Sequence, residues 1–366
     1  MTPKKIYFAK QLFTGEKQLN DHAVIIDNGV IVDIVPGSSL QPDIDTIIPV
    51  EILAPAFIDL QVYGAGGKLF GAFPEVDSLR LLAEHNKRSG TWGCLPTLAT
   101  NSMDIFKKGI DAVRKYWKEN GEGIMGLHLE GPWINAEKKG AHIDSLIHAP
   151  AMKEVNDLLE YGRDVIKMIT LAPEFCSPEL MELLKSHHII ISAGHSNASY
   201  AEAMKSFAMG VSTVTHLYNA MSPLQHRAPG LVGATLDHPT VMASIIPDGY
   251  HVDFAAIRIA KSVMKDRLFA ITDAVTENNQ GHYQHQPAGN KYEAAGVLSG
   301  SMLTMLDALR NLVHHAAIEL QEAFRMCSTY PARLMKLDNE IGFIKKGYRS
   351  NFVTVSHDLL SASLLT

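Results

Sequence analysis

Four polar residues, each at the end of a short and mostly apolar run, could form a catalytic site in this chain of 366 residues. They are Glu130, His195, His216 and Asp273. Two histidines and a carboxylate offer three ligands to a metal ion and leave one position open, as catalytic zinc sites do. The Asp273 carboxylate is not needed as a ligand and could take a proton from water and return it to a leaving group. The four residues together predict metal-assisted hydrolysis.

Each of these residues also has an ordinary structural explanation. A lone histidine at a strand end is more often hydrogen-bonded than metal-bound, and an aspartate there commonly caps the next helix. Their combination on separate strand ends favours the metal site. His128 shares a strand face with Glu130, because side chains two residues apart point the same way. We interpret His128 as a structural residue or a neighbour of the ligands.

A second group of residues is suited to an anionic ligand. Arg227 lies in a loop rich in proline and glycine, and a guanidinium can hold a phosphate with two hydrogen bonds. His251 follows another predicted strand, and residues 298–301 form a polar turn before a predicted helix, whose N-terminus would add donors. Arg227 taken alone would be interpreted as a solvated surface residue.

The segment that carries these residues alternates short apolar runs with amphipathic stretches. We predict eight strands, at residues 56–61, 91–97, 124–130, 166–173, 189–195, 211–216, 241–246 and 268–273. We predict helices at residues 76–89, 104–117, 151–161, 178–186, 199–209, 253–264 and 301–320, and mainly a long loop at 222–239. Eight such units in about 285 residues favour an α/β fold, the closed (β/α)8 TIM barrel, whose reactive groups lie at the carboxyl ends of the strands.

The two ends of the chain have a β pattern instead. Asn28 and Gly29 separate two β-branched runs and predict a hairpin, because both residues tolerate a positive φ. Residues 351–355 read as a strand, and we expect any strand after it to be short or missing. We therefore predict a small β-sandwich domain formed from both termini, residues 1–54 plus 341–366, packed against a barrel of residues 55–340.

Composition limits the class of partner. The 33 basic and 39 acidic residues give a net charge of −6, which argues against a general electrostatic grip on nucleic acid. No apolar run reaches the roughly 18 residues of a membrane span. The N-terminal stretch lacks the apolar core of a signal peptide, and the 3 cysteines form no CxxC pair. We therefore expect a cytoplasmic protein that binds neither nucleic acid nor membranes.

An ordered set of short strings indicates a family. The strings lie at residues 55–59, 128–133, 138–142, 192–198, 215–221, 248–253, 272–274 and 298–301. In this order, and over nearly the whole chain, they resemble the N-acetylglucosamine-6-phosphate deacetylases of the amidohydrolase superfamily. The resemblance implies hydrolytic removal of the acetyl group from N-acetylglucosamine 6-phosphate, in the breakdown and recycling of amino sugars.

The resemblance also implies roles for individual residues. Glu130, His195 and His216 match the metal ligands of the family. Asp273 matches its acid/base aspartate, and His142 matches a histidine that contacts the acetamide carbonyl. The positions that bind the sugar phosphate match Ala141, Asn219, Ala220, Arg227, His251, Leu298, Ser299 and Gly300. By the same resemblance we expect a homodimer in which Arg227 serves the site of the partner subunit.

The sequence departs from the wider superfamily at one place. Many amidohydrolases carry His-x-His at the end of the first barrel strand and bind a second metal there, whereas this chain has Gln61 and Tyr63. Glutamine and tyrosine are poor zinc ligands beside imidazole. We therefore expect one divalent metal ion per subunit, zinc in the first place, with Fe²⁺ or another divalent ion as alternatives. The sequence assigns no role to Tyr63.

Two other functions remain open at this point. One is that of a different amidohydrolase, such as a cyclic-amide hydrolase or a deaminase, against which Arg227 and His251 argue because they suit a phosphate. The other is a binding or scaffold protein that kept the barrel and lost the chemistry, which only Gln61 and Tyr63 suggest. Metal binding would distinguish this scaffold from an enzyme.

Overall fold

The computed structural model describes residues 5–41, 47–294 and 296–365. Its strands, in chain order, are β1 (Lys5–Phe13), β2 (Gln18–Asp27), β3 (Val30–Pro36), β4 (Ile47–Pro55), β5 (Phe57–Val62), β6 (Gly64–Ala65), β7 (Lys68–Leu69), β8 (Thr91–Ala99), β9 (Leu127–Glu130), β10 (Ile166–Leu171), β11 (Ile190–Ala193), β12 (Thr213–Val214), β13 (Met242–Ile245), β14 (Leu268–Ala270), β15 (Gln286–Pro287), β16 (Lys291–Ala294), β17 (Val297–Ser301), β18 (Phe352–Val355) and β19 (Ala362–Leu365). Its α-helices are α1 (Val76–Arg88), α2 (Met103–Lys118), α3 (Met152–Gly162), α4 (Pro178–Ser186), α5 (Tyr200–Met209), α6 (Gly230–Asp237), α7 (Phe254–Met264), α8 (Met305–His314), α9 (Leu320–Cys327) and α10 (Thr329–Leu334).

The centre of the molecule is an eight-stranded parallel sheet curled into a nearly closed barrel. Its strand order is β14-β13-β12-β11-β10-β9-β8-β5, so that neighbours in the sheet are also neighbours along the chain. A helix follows each strand before the next one begins, because parallel strands need a crossover connection. The strands read as nearly continuous apolar runs because helices cover the outside and side chains fill the inside. The predicted (β/α)8 barrel is confirmed.

The barrel closes between its first strand and the residues after its last. The backbone N–H of Asp273 donates to the carbonyl of Gln61 (3.0 Å), and the N–H of Tyr63 donates to the carbonyl of Ala274 (2.8 Å). These bonds set the end of β5 beside the segment that follows β14. Closure therefore brings Gln61, Tyr63 and Asp273 together at the carboxyl end of the barrel.

Helices α6, α9 and α10 were not predicted, and α6 is the one that lies in a predicted loop. Residues 222–239, predicted to be mainly a loop, contain α6. The residues from Gly230 to Thr235 are all buried, so the helix has no polar face and the sequence shows no amphipathic period. The Ser222 hydroxyl accepts a hydrogen bond from the Leu231 N–H (2.7 Å), which holds the first turn.

The predicted helix at 301–320 is also wrong in its extent. Residues 297–301 form strand β17, so Leu298, Ser299 and Gly300 lie in a strand rather than in a turn. The helix begins only after Thr304, whose hydroxyl and backbone exchange capping-box hydrogen bonds with Asp307. Strands β15, β16 and β17 form a small antiparallel sheet inserted between β14 and α8.

Strands from both ends of the chain form a separate six-stranded sheet. Its order is β19-β18-β4-β1-β2-β3, with β4 parallel to β1 and antiparallel to β18. Asn28 and Gly29 form the predicted hairpin turn, both with a positive φ (50° and 76°). Strand β19 is present and spans only the 4 residues Ala362–Leu365, so the last strand is short, as expected, and not missing. The domain boundaries at residues 54 and 341 remain a prediction.

The small sheet packs on the barrel through its aromatic residues. The ring of Phe13 lies 4.9 Å from the ring of Phe324 in α9, which also stacks on Phe57 at the start of β5. The Arg325 guanidinium donates to the carbonyl of Gly15 (2.7 Å). None of the helices in the described part of the chain is long and apolar enough to cross a membrane.

Asp59 in β5 is fully buried where the barrel closes. Its carboxylate accepts hydrogen bonds from the N–H of Gln61 (3.2 Å) and from the N–H (3.2 Å) and hydroxyl (2.5 Å) of Thr272. Burial outweighs these bonds and raises the pKa of Asp59 from 3.8 to about 6. The folded protein thus holds this proton more tightly than the unfolded chain, and the stability it contributes is lost as pH rises through about 6.

We expect the substitution Asp59→Asn to change how stability depends on pH. Asparagine can accept the two N–H bonds through Oδ1 and donate to Thr272 through Nδ2, and it does not titrate. Relative to this variant, the wild type should lose on the order of 1 to 2 kcal/mol of unfolding free energy between about pH 5 and about pH 8. Urea unfolding measures the difference, with Asp33→Asn at an exposed position of β3 as control. A difference independent of pH would contradict a buried, titrating Asp59.

Candidate active site

Three predicted ligands converge at the carboxyl end of the barrel. Glu130 is the last residue of β9, and His195 and His216 each follow their strands, β11 and β12, by two residues. The Nε2 atoms of the two histidines lie 3.1 Å apart, and Oε1 of Glu130 lies 3.3 Å from His195 Nε2 and 3.1 Å from His216 Nε2. All three side chains are buried.

The chemistry of this donor set fits a divalent cation. Nδ1 of His195 lies 2.8 Å from the carbonyl of Lys138, which can only accept, so the ring proton is on Nδ1 and Nε2 presents a lone pair. Ligand atoms from Glu130, His195 and His216 all lie within 4.8 Å of one another. Two imidazoles and one carboxylate with an open side are the ligands of catalytic zinc.

The backbone of these residues is unusual. His195, His216 and Asp273 all have a positive φ (48°, 37° and 53°), a region that residues other than glycine rarely adopt. Such conformations persist where the surrounding structure enforces them, and they concentrate at functional sites. Each strand end therefore turns sharply and directs its side chain over the mouth of the barrel.

Glu130 is a buried carboxylate surrounded by donors. Burial opposes its ionisation, but the imidazoles of His142, His195 and His216 outweigh burial and hold the pKa of Glu130 well below its usual range. The Gln61 amide donates to Oε1 (3.0 Å), and the Tyr63 hydroxyl donates to Oε2. The pair that replaces His-x-His thus binds the carboxylate ligand by hydrogen bonds.

Asp273 lies beside this cluster. The Gln61 amide donates to its Oδ1 (2.8 Å), so Gln61 bridges the carboxylates of Asp273 and Glu130. Burial first, and then the negative charge of Glu130, raises the pKa of Asp273 well above its ordinary value. A carboxylate in this setting accepts a proton more readily than one in water.

His142 lies in the connection between β9 and α3 and faces the same carboxylate. Its Nε2 lies 3.4 Å from Oε2 of Glu130, and its ring centre lies 4.2 Å from that of His195. Burial lowers the pKa of His142 to about 4, so the ring is neutral at neutral pH. A neutral imidazole can donate one hydrogen bond to a developing oxyanion.

A cavity of about 200 Å³ opens above the cluster. The predicted site residues that line it are Glu130, Ala141, His142, His195, His216, Asn219, Ala220, His251, Asp273, Leu298 and Ser299. Gly300 is buried beside this wall, where an added Cβ would lie 2.5 Å from Val275. Arg227 is exposed and does not line the cavity of its own chain. The structure therefore brings most of the predicted residues together and leaves Arg227 apart.

His251 is held by a carboxylate that the sequence did not single out. Its Nδ1 lies 2.5 Å from Oδ2 of Asp248, and the other oxygen of Asp248 accepts the backbone N–H bonds of Tyr250 and His251. Burial alone would raise the pKa of Asp248, but the hydrogen bond from His251 lowers it. The ionised carboxylate orients the ring and leaves Nε2 for a ligand. The available signal in the sequence was the position of Asp248, three residues after β13 and three residues before His251.

Other residues at the site were not predicted from the sequence. The segment between β14 and β15 supplies Tyr283 and His285 to the cavity wall. There, His285 Nδ1 lies 2.8 Å from the Ser299 hydroxyl. Thr100 contacts His142 and directly follows β8. The sequence ended this strand at residue 97 and so missed Thr100 as a strand-end residue. His128 has a structural role, because both of its ring nitrogens are hydrogen-bonded. Its Nδ1 lies 3.1 Å from the Leu60 carbonyl, and its Nε2 lies 2.7 Å from the Thr170 hydroxyl.

The fold and the site together define a class of protein, the metal-dependent hydrolases built on a (β/α)8 barrel. The sequence profile of the amidohydrolase family matches residues 52–363, and that of the NagA composite domain matches residues 10–48. The chain belongs to the amidohydrolase family. Within that family it groups with the N-acetylglucosamine-6-phosphate deacetylases, which confirms the resemblance that the short strings indicated.

Three known proteins define this relationship. The N-acetylglucosamine-6-phosphate deacetylase of Haemophilus influenzae is 34% identical over 352 residues, 93% of this chain and 92% of the relative. The N-acetylgalactosamine-6-phosphate deacetylase of Escherichia coli is 31% identical over 365 residues, 96% of this chain and 95% of the relative. The crystal structure of the N-acetylglucosamine-6-phosphate deacetylase from Pasteurella multocida superposes with a TM-score of 0.92 at 32% identity, covering 99% of this chain and 97% of that one.

We expect Zn²⁺ to stabilise the metal-free protein through this cluster. A ligand that binds only the folded state adds about 2.7 kcal/mol at a free concentration of about 100 times Kd. The thermal unfolding midpoint should rise on addition of Zn²⁺ in the wild type but not in His216→Ala. The variant His357→Ala removes an exposed histidine of the small domain and should respond as the wild type does. An equal rise in all three proteins would place the metal elsewhere.

Proposed function

We propose that this protein hydrolyses the acetamide of N-acetylglucosamine 6-phosphate to glucosamine 6-phosphate and acetate, in the breakdown and recycling of amino sugars. One observation carries the proposal: Glu130, His195 and His216 converge beside Asp273 and His142 at one cavity. The names of the relatives in Haemophilus influenzae and Pasteurella multocida support the choice of substrate.

We propose that Glu130, His195 and His216 hold one divalent ion per chain, zinc in the first place. When bound, this ion supplies Lewis-acid polarisation of the scissile carbonyl and of the attacking water. Fe²⁺ remains the alternative, because imidazole and carboxylate ligands also suit iron. The side chains of Gln61 and Tyr63 support a single ion, since they donate hydrogen bonds to Glu130 at the place where the wider superfamily carries two histidines.

Asp273 acts as the acid/base group in this proposal. Its carboxylate takes a proton from the attacking water and returns it to the amine nitrogen when the C–N bond breaks. Water adds to the carbonyl carbon, so that the oxygen leaves in acetate and the proton leaves on the amino sugar. The hydrogen bond from Gln61 (2.8 Å) fixes the orientation of the carboxylate.

His142 stabilises the negative charge that develops on the carbonyl oxygen. Its neutral ring can donate from Nε2 without first losing a proton, and burial keeps water from competing for that bond. The same position beside Glu130 and His195 places the donor close to the proposed metal ligands. His142 therefore stabilises charge on the carbonyl oxygen, whereas Asp273 transfers the proton to the amine nitrogen.

The remaining predicted residues bind the sugar phosphate. His251, oriented by Asp248, lies on the cavity wall with Asn219 and Ala220. Ala141, Leu298, Ser299 and Gly300 form or support the wall around the sugar. Because the substrate is a charged sugar phosphate that does not cross a membrane unaided, we infer that the protein works in the cytoplasm.

We propose a homodimer in which Arg227 completes the phosphate site of the partner subunit. Arg227 is exposed, is absent from the cavity of its own chain and lies three residues from Leu224, whose side chain is 55% exposed. A guanidinium is well suited to phosphate, and a two-fold axis would exchange the two loops symmetrically.

We expect the wild type to release acetate from N-acetylglucosamine 6-phosphate and to fail on the unphosphorylated sugar. The variant Asp273→Asn should lose about 100-fold or more of kcat, because a general acid–base group contributes on that order. Its metal content should stay at one ion per chain, measured by elemental analysis. Near-normal turnover by Asp273→Asn would contradict the assignment of the base.

The same assay distinguishes the second candidate substrate. The relative in Escherichia coli, which is similar over nearly the whole chain, is named for N-acetylgalactosamine 6-phosphate. That sugar differs only in the configuration at C4. A higher kcat/KM for the galactose epimer would replace the proposed substrate and keep the proposed chemistry.

We expect mixed dimers to be more active at low substrate than either variant alone. In Arg227→Ala homodimers, KM for the phosphorylated sugar should rise by about tenfold or more, because a charged hydrogen bond to phosphate is lost. Refolding Arg227→Ala together with Asp273→Asn gives heterodimers in which one site has both groups. Acetate release at low substrate should recover to about one quarter of the wild type if Arg227 acts across the interface. No recovery would show that Arg227 acts within its own subunit or not at all.

A further inference from the structure

We propose that Thr100 is a positioning residue that fixes the tautomer of His142, so that the proton of the neutral ring is on Nε2 and is directed at the substrate. The inference deepens the proposed deacetylation and rests on the role given there to His142. It assigns a task to the first residue after β8, which the catalytic scheme does not otherwise use.

The backbone of Thr100 decides which nitrogen of His142 lacks a proton. The Thr100 N–H points at Nδ1 of His142 with a donor–acceptor distance of 3.3 Å. A backbone N–H can only donate, so the nitrogen that faces it must offer a lone pair. In a neutral ring the proton is then on Nε2. A proton on Nδ1 would set two donors against each other in a buried site, which is costly.

The side chain of Thr100 strengthens the same choice. Its Oγ1 lies 2.7 Å from Nδ1 of His142, closer than the backbone nitrogen. With Nδ1 unprotonated, the hydroxyl must be the donor at this distance. Two donors from one residue thus converge on one ring nitrogen.

The other side of the ring agrees with this assignment. Nε2 of His142 faces Oε2 of Glu130 at 3.4 Å, and a carboxylate oxygen can only accept from it. The ring is therefore polarised in one direction, with donors behind Nδ1 and an acceptor in front of Nε2. In the opposite tautomer a lone pair on Nε2 would face the oxyanion and repel it.

Thr100 is itself held in place from two directions. The hydroxyl of Tyr283 donates to the carbonyl of Thr100 (2.8 Å), which connects the segment between β14 and β15 to the end of β8. Thr100 is completely buried. Its hydroxyl lies only 2.2 Å from the position that a Cβ on Gly131 would take. Glycine at position 131, which also has a φ of 80°, therefore leaves the space that the Thr100 hydroxyl occupies.

The test compares Thr100→Val, which removes the hydroxyl at nearly constant volume, with Thr100→Ser, which keeps it. Thr91→Val is the matched control, because Thr91 begins β8, the strand that Thr100 follows, and its buried hydroxyl has no hydrogen-bond partner among the described residues. All proteins are full-length, zinc-loaded and labelled with ¹⁵N-histidine. Two-bond ¹H–¹⁵N correlations report the protonation of each ring nitrogen, and His142→Gln assigns the signals.

The wild type should show a protonated Nε2 and an unprotonated, hydrogen-bonded Nδ1 for His142. In Thr100→Val, the Nδ1 resonance should move toward that of a free imine nitrogen and kcat should fall about tenfold, as expected for one buried hydrogen bond, with KM changed less than about twofold. Thr100→Ser should restore both values, and Thr91→Val should change neither.

Two results would overturn the proposal. One is a proton on Nδ1 of His142 in the wild type, and the other is a Thr100→Val protein with an unchanged Nδ1 resonance and unchanged kcat. The spectra do not depend on turnover. If the wild type released no acetate but Thr100→Val shifted the Nδ1 signal, the deacetylation would be refuted and the Thr100–His142 contact would stand.

Discussion

Backbone hydrogen bonds join the first barrel strand to the residues after the last one, and the geometry of the site depends on this closure. The bonds between Gln61 and Asp273 and between Tyr63 and Ala274 bring together two segments more than 200 residues apart in sequence. The Gln61 amide then bridges Asp273 and Glu130, which lie on opposite sides of the closure. A shift of one residue in this register would turn the side chains of β5 to the other face and remove both contacts.

The second constraint is the ionised carboxylate of Glu130 in a buried site. A buried charge is costly unless hydrogen bonds compensate for it, and the surrounding imidazoles, Gln61 and Tyr63 provide that compensation. The same charge acts on its neighbour and helps to keep the pKa of Asp273 high. One carboxylate is thus suited to ligation and the other to proton transfer, because their surroundings differ.

Much of this arrangement could be predicted from the sequence because it depends on period and position. Alternating strands and helices give a barrel, and polar residues at strand ends must meet at its mouth, as Glu130, His195 and His216 do. Contacts between distant segments were harder to foresee. Thr100 was not predicted as a strand-end residue because the predicted strand ended at residue 97. The role of Tyr63 depends on Glu130, which lies 67 residues away in the sequence. Helix α6 was missed because a helix buried on every side has no amphipathic period.

The small sheet has a consequence for biosynthesis. Strand β4 lies between β1, which precedes it, and β18, which the ribosome makes about 300 residues later, on the order of tens of seconds at normal elongation rates. Successive barrel strands, by contrast, pair with each other along the chain, and only the closure of β5 waits for residues 212 positions later. During translation of the whole barrel, β4 therefore presents an unpaired edge that a neighbouring nascent chain could join. The order of synthesis thus exposes the small sheet to misassembly for longer than the barrel that carries the site.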